Sequence, residues 1–275
     1  MLTVLTGLLT SLSYATSDML SQNVARATRP LTQMVWVLVT GVVLVVPVAL
    51  VVRGLPDEGE WGGAGLAALA GVLYFFALFC LFQGLRAGDL GLVSALTSLQ
   101  GAYVAVAVIF LGEPVTPLLA GALVLCAFGA VLTSVEGRAK TTRGAPWAFA
   151  AGLVFAGVML CYNYSDIDWL SQAAISRSVS LAVTLPVALL TGGVALPARL
   201  RPRAVGAGVL ELAGVLLLTI TFALGPAAVA GVTTTQFGTF AVMLGVVLLH
   251  ERPKPNQWVG IAAAIVGVSL LAVLV

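Results

Sequence analysis

Runs of about 18 or more apolar residues recur along almost all of this chain, each long enough to cross a hydrocarbon core of roughly 30 Å. In lipid every backbone N–H and C=O must find its partner within the protein, which leaves helices or a closed barrel. Barrel strands alternate polar and apolar residues over roughly ten positions, and these runs do not alternate. With 60% apolar and 9% charged residues among 275, and a mean hydropathy of +1.09, the sequence predicts an all-α polytopic membrane protein. Ten transmembrane helices are expected, near 3–24, 31–52, 63–85, 90–111, 117–135, 147–165, 172–193, 204–224, 227–249 and 256–274.

The connections are short. Only "RGLPDEGEW", "VEGRAKTTRGAP" and "PARLRPR" are markedly polar, and none could hold a soluble domain. The opening "MLTVLTG" lacks a basic n-region and a small-residue cleavage site, so the first helix is expected to be retained. Cys80, Cys126 and Cys161 lie in apolar segments without metal-ligand spacing and read as small packing residues. Of thirteen Lys and Arg, eleven fall in or beside odd-numbered connections: Arg26, Arg29, Arg86, Arg138, Lys140, Arg143, Arg199, Arg201, Arg203, Arg252 and Lys254. Only Arg53 lies in an even-numbered one, and Arg177 is inside a helix. By the positive-inside rule the odd connections face the cytoplasm of a cell (inner or plasma) membrane, with both termini outside.

The chain also repeats itself. "LAGVL" occurs at 69–73 and 212–216, and "PVAL" at 47–50 and 186–189, in the same order. Tyr14-x-x-Ser17-Asp18 echoes Tyr162-x-x-Ser165-Asp166, and Leu111-x-Glu113 echoes Leu249-x-Glu251. Five helices per half is an odd number, so the second half must cross in the opposite sense. The expected architecture is therefore two inverted-topology five-helix repeats, 1–135 and 147–275, joined by a loop at 136–146. Two such halves can exchange roles around a midplane site, which is the device of alternating access.

Residues 84–132, "GLRAGDLGLVSALTSLQGAYVAVAVIFLGEPVTPLLAGALVLCAFGAVL", and 222–272, "FALGPAAVAGVTTTQFGTFAVMLGVVLLHERPKPNQWVGIAAAIVGVSLLA", resemble the paired repeats of the EamA branch of the drug/metabolite transporter superfamily. The most specific part is a glutamate, a proline-containing turn and a glycine-bearing helix: Glu113, Pro114, Pro117, Gly121 and Glu251, Pro253, Pro255, Gly260. The resemblance implies a ten-helix exporter or facilitator of small metabolites, often amino acids or amphipathic drugs, with a cavity lined by helices 1, 3, 4, 6, 8 and 9. It also implies termini inside, against the charge count. Two features depart from the family: Gln100 and Gly238 stand where it often has proline in helices 4 and 9, and "YATSD" replaces a tryptophan-glycine pair in helix 1.

A charge inside a membrane helix costs roughly 2.5–3.5 kcal/mol or more at its centre, so each is a functional candidate. Glu211 lies about eight residues, or roughly 12 Å, beyond Arg203. The repeat places Ala68 opposite it, so fold symmetry does not require an acid there. It reads as a proton or cation carrier, or as a structural partner for an arginine. Asp18 is the second proton-coupling candidate. Arg177 either anchors a substrate carboxylate or reaches toward the surface; an Arg177 and Glu211 pair facing one cavity would suit a zwitterion.

"TSLQ" (97–100) and "TTTQ" (233–236) place Thr97, Gln100 and Gln236 at comparable depth, as substrate contacts or interhelical glue. Tyr74, Tyr103, Trp36 and Phe240 are candidate aromatic walls. In "CYNYSDIDWL" (161–170), Tyr162, Asn163 and Tyr164 read as cavity residues, Asp166 as an entrance charge and Asp168 as solvated loop. Glu113 and Glu251, at helix ends, suit the holding of turns and helix N-termini.

The only histidine is His250, and no G-x-S-x-G, H-E-x-x-H or paired-cysteine motif is present. An intramembrane enzyme is therefore the least favoured class, and no cofactor or metal site is expected. Without a phosphate-cradling loop, transport would be secondary, and no channel-like filter is visible. The expected function is secondary transport of small metabolites, sharpened to proton coupling through Glu211; the alternative is a non-transporting scaffold or assembly subunit. The expected partners are a small-molecule substrate and the lipid bilayer, with no nucleic acid. Gly121, Gly129, Gly260 and Gly267 could serve a homodimer or internal packing alike.

Overall fold

The computed structural model describes residues 1–88, 90–134, 143–249 and 254–274. Twelve α-helices account for nearly all of them: α1 (Leu2–Ala27), α2 (Pro30–Val52), α3 (Trp61–Ala87), α4 (Leu90–Thr97), α5 (Gln100–Phe110), α6 (Pro117–Ser134), α7 (Ala145–Tyr164), α8 (Trp169–Leu190), α9 (Arg201–Leu224), α10 (Ala227–Thr233), α11 (Phe237–Leu249) and α12 (Pro255–Leu274). Arg138, Lys140, His250, Glu251, Arg252 and Pro253 lie outside the described residues.

Among the described residues, seven segments are long and apolar enough to cross a membrane: Pro30–Val52, Glu58–Ala87, Ala145–Tyr164, Trp169–Leu190, Ala198–Leu224, Ala227–Leu244 and Pro255–Leu274. Helix α1, at 26 residues, is longer than most of these but rich in serine and threonine. It meets the cost of buried hydroxyls locally, Thr10 and Thr16 donating to the Thr6 and Leu12 carbonyls at 2.9 and 2.8 Å. Bulky apolar side chains such as Val43, Phe110, Val124 and Leu190 cover the outside of the bundle.

Two of the expected helices are not continuous. The segments predicted at 90–111 and 227–249 each break near the middle, into α4 and α5 and into α10 and α11. The breaks coincide with "TSLQ" and "TTTQ", where hydroxyls compete for the backbone. Thr233, Thr234 and Thr235 donate to the carbonyls of Val229, Ala230 and Gly231 at 2.8, 2.8 and 3.1 Å, and such back-bonding bends helices. The backbone there falls back on long three-residue bonds, Leu99 to Leu96 and Thr235 to Val232, both 3.4 Å. The prolines of the repeated "PVAL", Pro47 and Pro186, sit inside α2 and α8, and both helices run out into left-handed glycines, Gly54 (φ 80°) and Gly192 (φ 69°).

Packing exchanges partners between the halves. Helix α1 packs on α9 and α3 on α7, α2 on α9 and α3 on α8, while α2 meets α8 and α6 meets α12. Close approach is bought with glycine: a Cβ at Gly129 would stand 2.5 Å from the Ala264 nitrogen, one at Gly260 would meet Thr133, and one at Gly267 would lie 2.6 Å from the Cys126 sulfur. Those three glycines are thus occupied by the α6–α12 contact inside the chain, whereas Gly121 faces open space.

Among the described residues, contacts between connections group them into two sets. On one side Arg53, after α2, pairs with Asp168, before α8, at 3.2 Å, and Ser165 donates to the Gly63 carbonyl at 3.0 Å. There too Thr3 donates to the Leu224 carbonyl at 3.2 Å. On the other side Arg29 donates to the Thr191 carbonyl, Trp36 to the Val194 carbonyl at 3.2 Å, and Gly88 lies against Gly144.

Candidate functional site

Helix α1 presents Tyr14, Ser17, Asp18 and Ser21 on one face, at the i, i+3, i+4, i+7 spacing of a helical stripe. Opposite it, α3 presents Tyr74, Leu78, Leu81 and Phe82, while α7 adds Phe155, Val158 and Met159. Glu211 and Leu218 of α9, Val37 of α2, Thr97 and Gln100 at one helix break and Phe237 at the other complete the wall of an interior cavity. Its volume is about 50 Å³. At roughly 10–15 Å³ per water that is room for a few waters, so a metabolite-sized ligand needs the helices to part. The expected lining helices 1, 3, 4, 6, 8 and 9 correspond to α1, α3, α4–α5, α7, α9 and α10–α11, and all six contribute.

The electrostatic centre of the site is a buried triad. Arg177 of α8 approaches Glu211 of α9 at 2.5 Å, with side-chain exposures of 1% and 7%. Tyr74 of α3 donates its hydroxyl to the other Glu211 oxygen. Its oxygen accepts from Arg177 Nη2 at 3.3 Å, and its ring lies 4.5 Å from the guanidinium carbon. Arg177 itself does not line the cavity; Glu211 and Tyr74 do. The surface-reaching alternative for Arg177 is thereby corrected: its side chain is 1% exposed, held beside Gly41 of α2, Tyr74 of α3 and Glu211 of α9.

Asp18 differs. It lines the same cavity, half-buried, and takes part in neither ion pair found among the described residues. Around it the hydroxyl hydrogens of Ser17 and Thr97 are taken by the Ala207 and Ala148 carbonyls, at 2.9 and 3.5 Å. Ser21 accepts from Gln33 at 3.0 Å. Gln100 is buried against the cavity, and its Oε1 has no partner.

Other expected site residues stand elsewhere. Tyr162 is buried behind the wall, its hydroxyl 2.7 Å from Ser176. Asn163 is half-buried outside the lining, and Tyr164 is 51% exposed, because on the last turn of α7 they are rotated away from the face that buries Cys161 and Tyr162. Tyr103 packs edge-on to Phe149 on the outer side of α5. Gln236 bonds the Cys126 and Val232 carbonyls at 3.3 and 3.2 Å, which makes it interhelical glue. Trp36 stacks near Arg201, and neither it nor Phe240 reaches the cavity.

Asp166 is exposed, over Gly63 at the α7–α8 connection. Asp168 is not a loop residue free in solvent. It is the N-cap of α8, accepting from Leu170 and Ser171 at 2.9 and 3.2 Å. Burial pushes its carboxyl up, but the Ser171 and Leu170 hydrogen bonds and the Arg53 charge pull it below the ordinary carboxylate value. Glu113 holds a helix N-terminus as expected, and does so across the halves: its two oxygens accept from Ala228 and Ala227 at the start of α10, at 3.1 and 3.2 Å.

Sequence reasoning missed Tyr14, Ser17 and Ser21 as lining residues, although their spacing with Asp18 carried the signal. It also missed Phe82, Phe155 and Phe237, which nothing local separates from the other aromatics of apolar helices.

A solved structure described only as "Crystal structure of protein" shares this fold, with a TM-score of 0.78 at 16% identity over 99% of this chain and 96% of that one. No curated protein matches the chain. The model of the EamA-like transporter family matches it twice, over residues 1–135 and 142–273, once for each half. With almost every residue inside one or the other match, the chain belongs to the EamA-like transporter family.

Proposed function

We propose that this protein is a secondary transporter that moves small amphipathic metabolites across the cell membrane by alternating access around the α1–α3–α7–α9 cavity. The observation that carries this reading is an interior cavity, walled by both halves, that holds an acid with no ion-pair partner among the described residues. A carboxylate in that setting is expensive unless something neutralises it, and a proton and a substrate can each do so in turn. Asp18 is the better placed coupling acid, since Glu211 already has Arg177 and Tyr74.

Ten crossings are supported by the two sets of connections, counting α4–α5 and α10–α11 as one crossing each. The halves 1–135 and 147–275 then run in opposite senses, and their exchanged contacts support rocking of one against the other. The set that contains Arg29, Arg86, Arg143 and Arg201 is cytoplasmic by its charge, with the termini outside. Activity of a cytoplasmic reporter fused to the C terminus would reverse that orientation.

Proteoliposomes with a trapped pH dye test the coupling over a panel of amines, amino acids and amphipathic drugs. The expected result is a substrate-dependent pH change that is lost in Asp18→Asn. Substrate movement without protons, equal in both proteins, would make the protein a facilitator.

A further inference from the structure

We infer that the cavity selects organic monocations, because its net charge is minus one whenever Asp18 is ionised, and that Glu211 sets this selectivity by cancelling Arg177. The inference rests on the transport reading above and names the substrate class of that site. Three ionisable side chains decide the charge. Arg177 and Glu211 are in contact at 2.5 Å and cancel, which leaves Asp18 as the one uncompensated charge among the described residues that line the cavity.

Geometry closes the opposite possibility. A substrate carboxylate would need Arg177, but Glu211 and Tyr74 stand between the guanidinium and the cavity, and the Tyr74 ring covers it at 4.5 Å. The remaining polar groups point the same way. Ser17 and Thr97 have their hydroxyl hydrogens engaged elsewhere and offer oxygen lone pairs, and Gln100 has an amide oxygen with no donor. An ammonium group supplies a charge opposite to that of Asp18 and donors for these oxygens. The rings of Tyr14, Phe82, Phe155 and Phe237 suit the apolar body attached to it and add cation–π attraction.

The same accounting predicts how selectivity changes. Asp18→Asn leaves the cavity neutral with no carboxylate for a cation. Glu211→Gln frees the Arg177 charge opposite Asp18, an arrangement that fits a zwitterion. The double variant leaves Arg177 alone, which fits an anion.

The test uses one benzyl body with three charges: phenethylamine, phenylalanine and 3-phenylpropionate. Binding to purified protein is read by calorimetry, and uptake by proteoliposomes. Wild type should take phenethylamine and its permanently charged N,N,N-trimethyl derivative, with at least about tenfold weaker binding of the other two. Loss of the Asp18 carboxylate should weaken the cations by about thirtyfold or more, while Asp18→Glu should retain them. Glu211→Gln should shift preference to phenylalanine.

Preference of the wild type for phenylalanine or phenylpropionate overturns the inference and leaves the transport reading standing. Binding of none of the probes also overturns it. In that case cysteine accessibility from the two membrane faces, measured on the same protein, still decides whether the cavity alternates. The wild-type series needs no variant to fold.

Discussion

Replacing Arg177 with methionine should destabilise the protein more than replacing Arg177 and Glu211 together. The two charges are 1% and 7% exposed and 2.5 Å apart. At an effective dielectric constant of about 20, unit charges about 4 Å apart attract by about 4 kcal/mol, while removing each ion from water costs several kcal/mol. The intact pair is therefore close to break-even. Removing one partner leaves the other buried with its desolvation cost uncompensated, about 3–5 kcal/mol.

For Arg177→Met the remaining Glu211 keeps only the Tyr74 hydroxyl. At about 2–4 °C per kcal/mol for a chain of this size, its melting temperature should fall by roughly 6–20 °C. The double variant Arg177→Met/Glu211→Leu should return to within about 1–2 kcal/mol of wild type, since an apolar replacement of both ions is often neutral. Thermal unfolding of detergent-solubilised protein, followed by size-exclusion chromatography, reads both. If the single variant melts with wild type, or the double variant melts as low as the single, Arg177 and Glu211 are not a coupled buried pair and the charge accounting of the cavity fails.

Three further outcomes are expected. Glu113→Ala should cost about 1–2 kcal/mol of thermal stability by stripping the two carboxylate bonds from the start of α10, and Glu113→Gln should recover part of it. Asp168→Asn should cost less than about 1 kcal/mol at pH 7, because Arg53 is half exposed and asparagine can still cap α8. The Asp168 carboxyl is lowered in the folded state, so its contribution is full above the unfolded value of about 3.9 and fades as pH falls further. Melting curves of the two proteins should therefore converge on acidification below about pH 4. Gly129→Leu should lose about 1–3 kcal/mol or more through collision with the Ala264 backbone, whereas Gly121→Leu, facing open space, should melt with wild type.

How much was legible can be judged from particular residues. Glu211 and Arg177 stood out because a charge among apolar neighbours is conspicuous wherever it falls, and even their pairing was a reading open to the sequence. Glu113 announced a helix-end role through its place beside a proline turn, yet the helix it holds belongs to the other half, 114 positions away. Gln100 and Gln236 were indistinguishable by type and depth. The fold sends one to the cavity wall and the other, at the α10–α11 break, against the Cys126 carbonyl of α6. Asn163 and Tyr164 were candidates by their polarity, but a helix turns about 100° per residue, and the last turn of α7 carries them out of the lining.

The sequence by itself determined the helical class, the twofold repetition and the family, because long apolar runs, repeated segments and motif spacing are properties of the chain taken in order. Only the tertiary structure decided which charge is left without a partner. Arg177, Glu211, Tyr74 and Asp18 come from four helices and both halves, and whether a guanidinium faces a cavity or a carboxylate depends on distances of a few ångströms. The polar accounting of a buried site closes in space, among groups far apart in the chain.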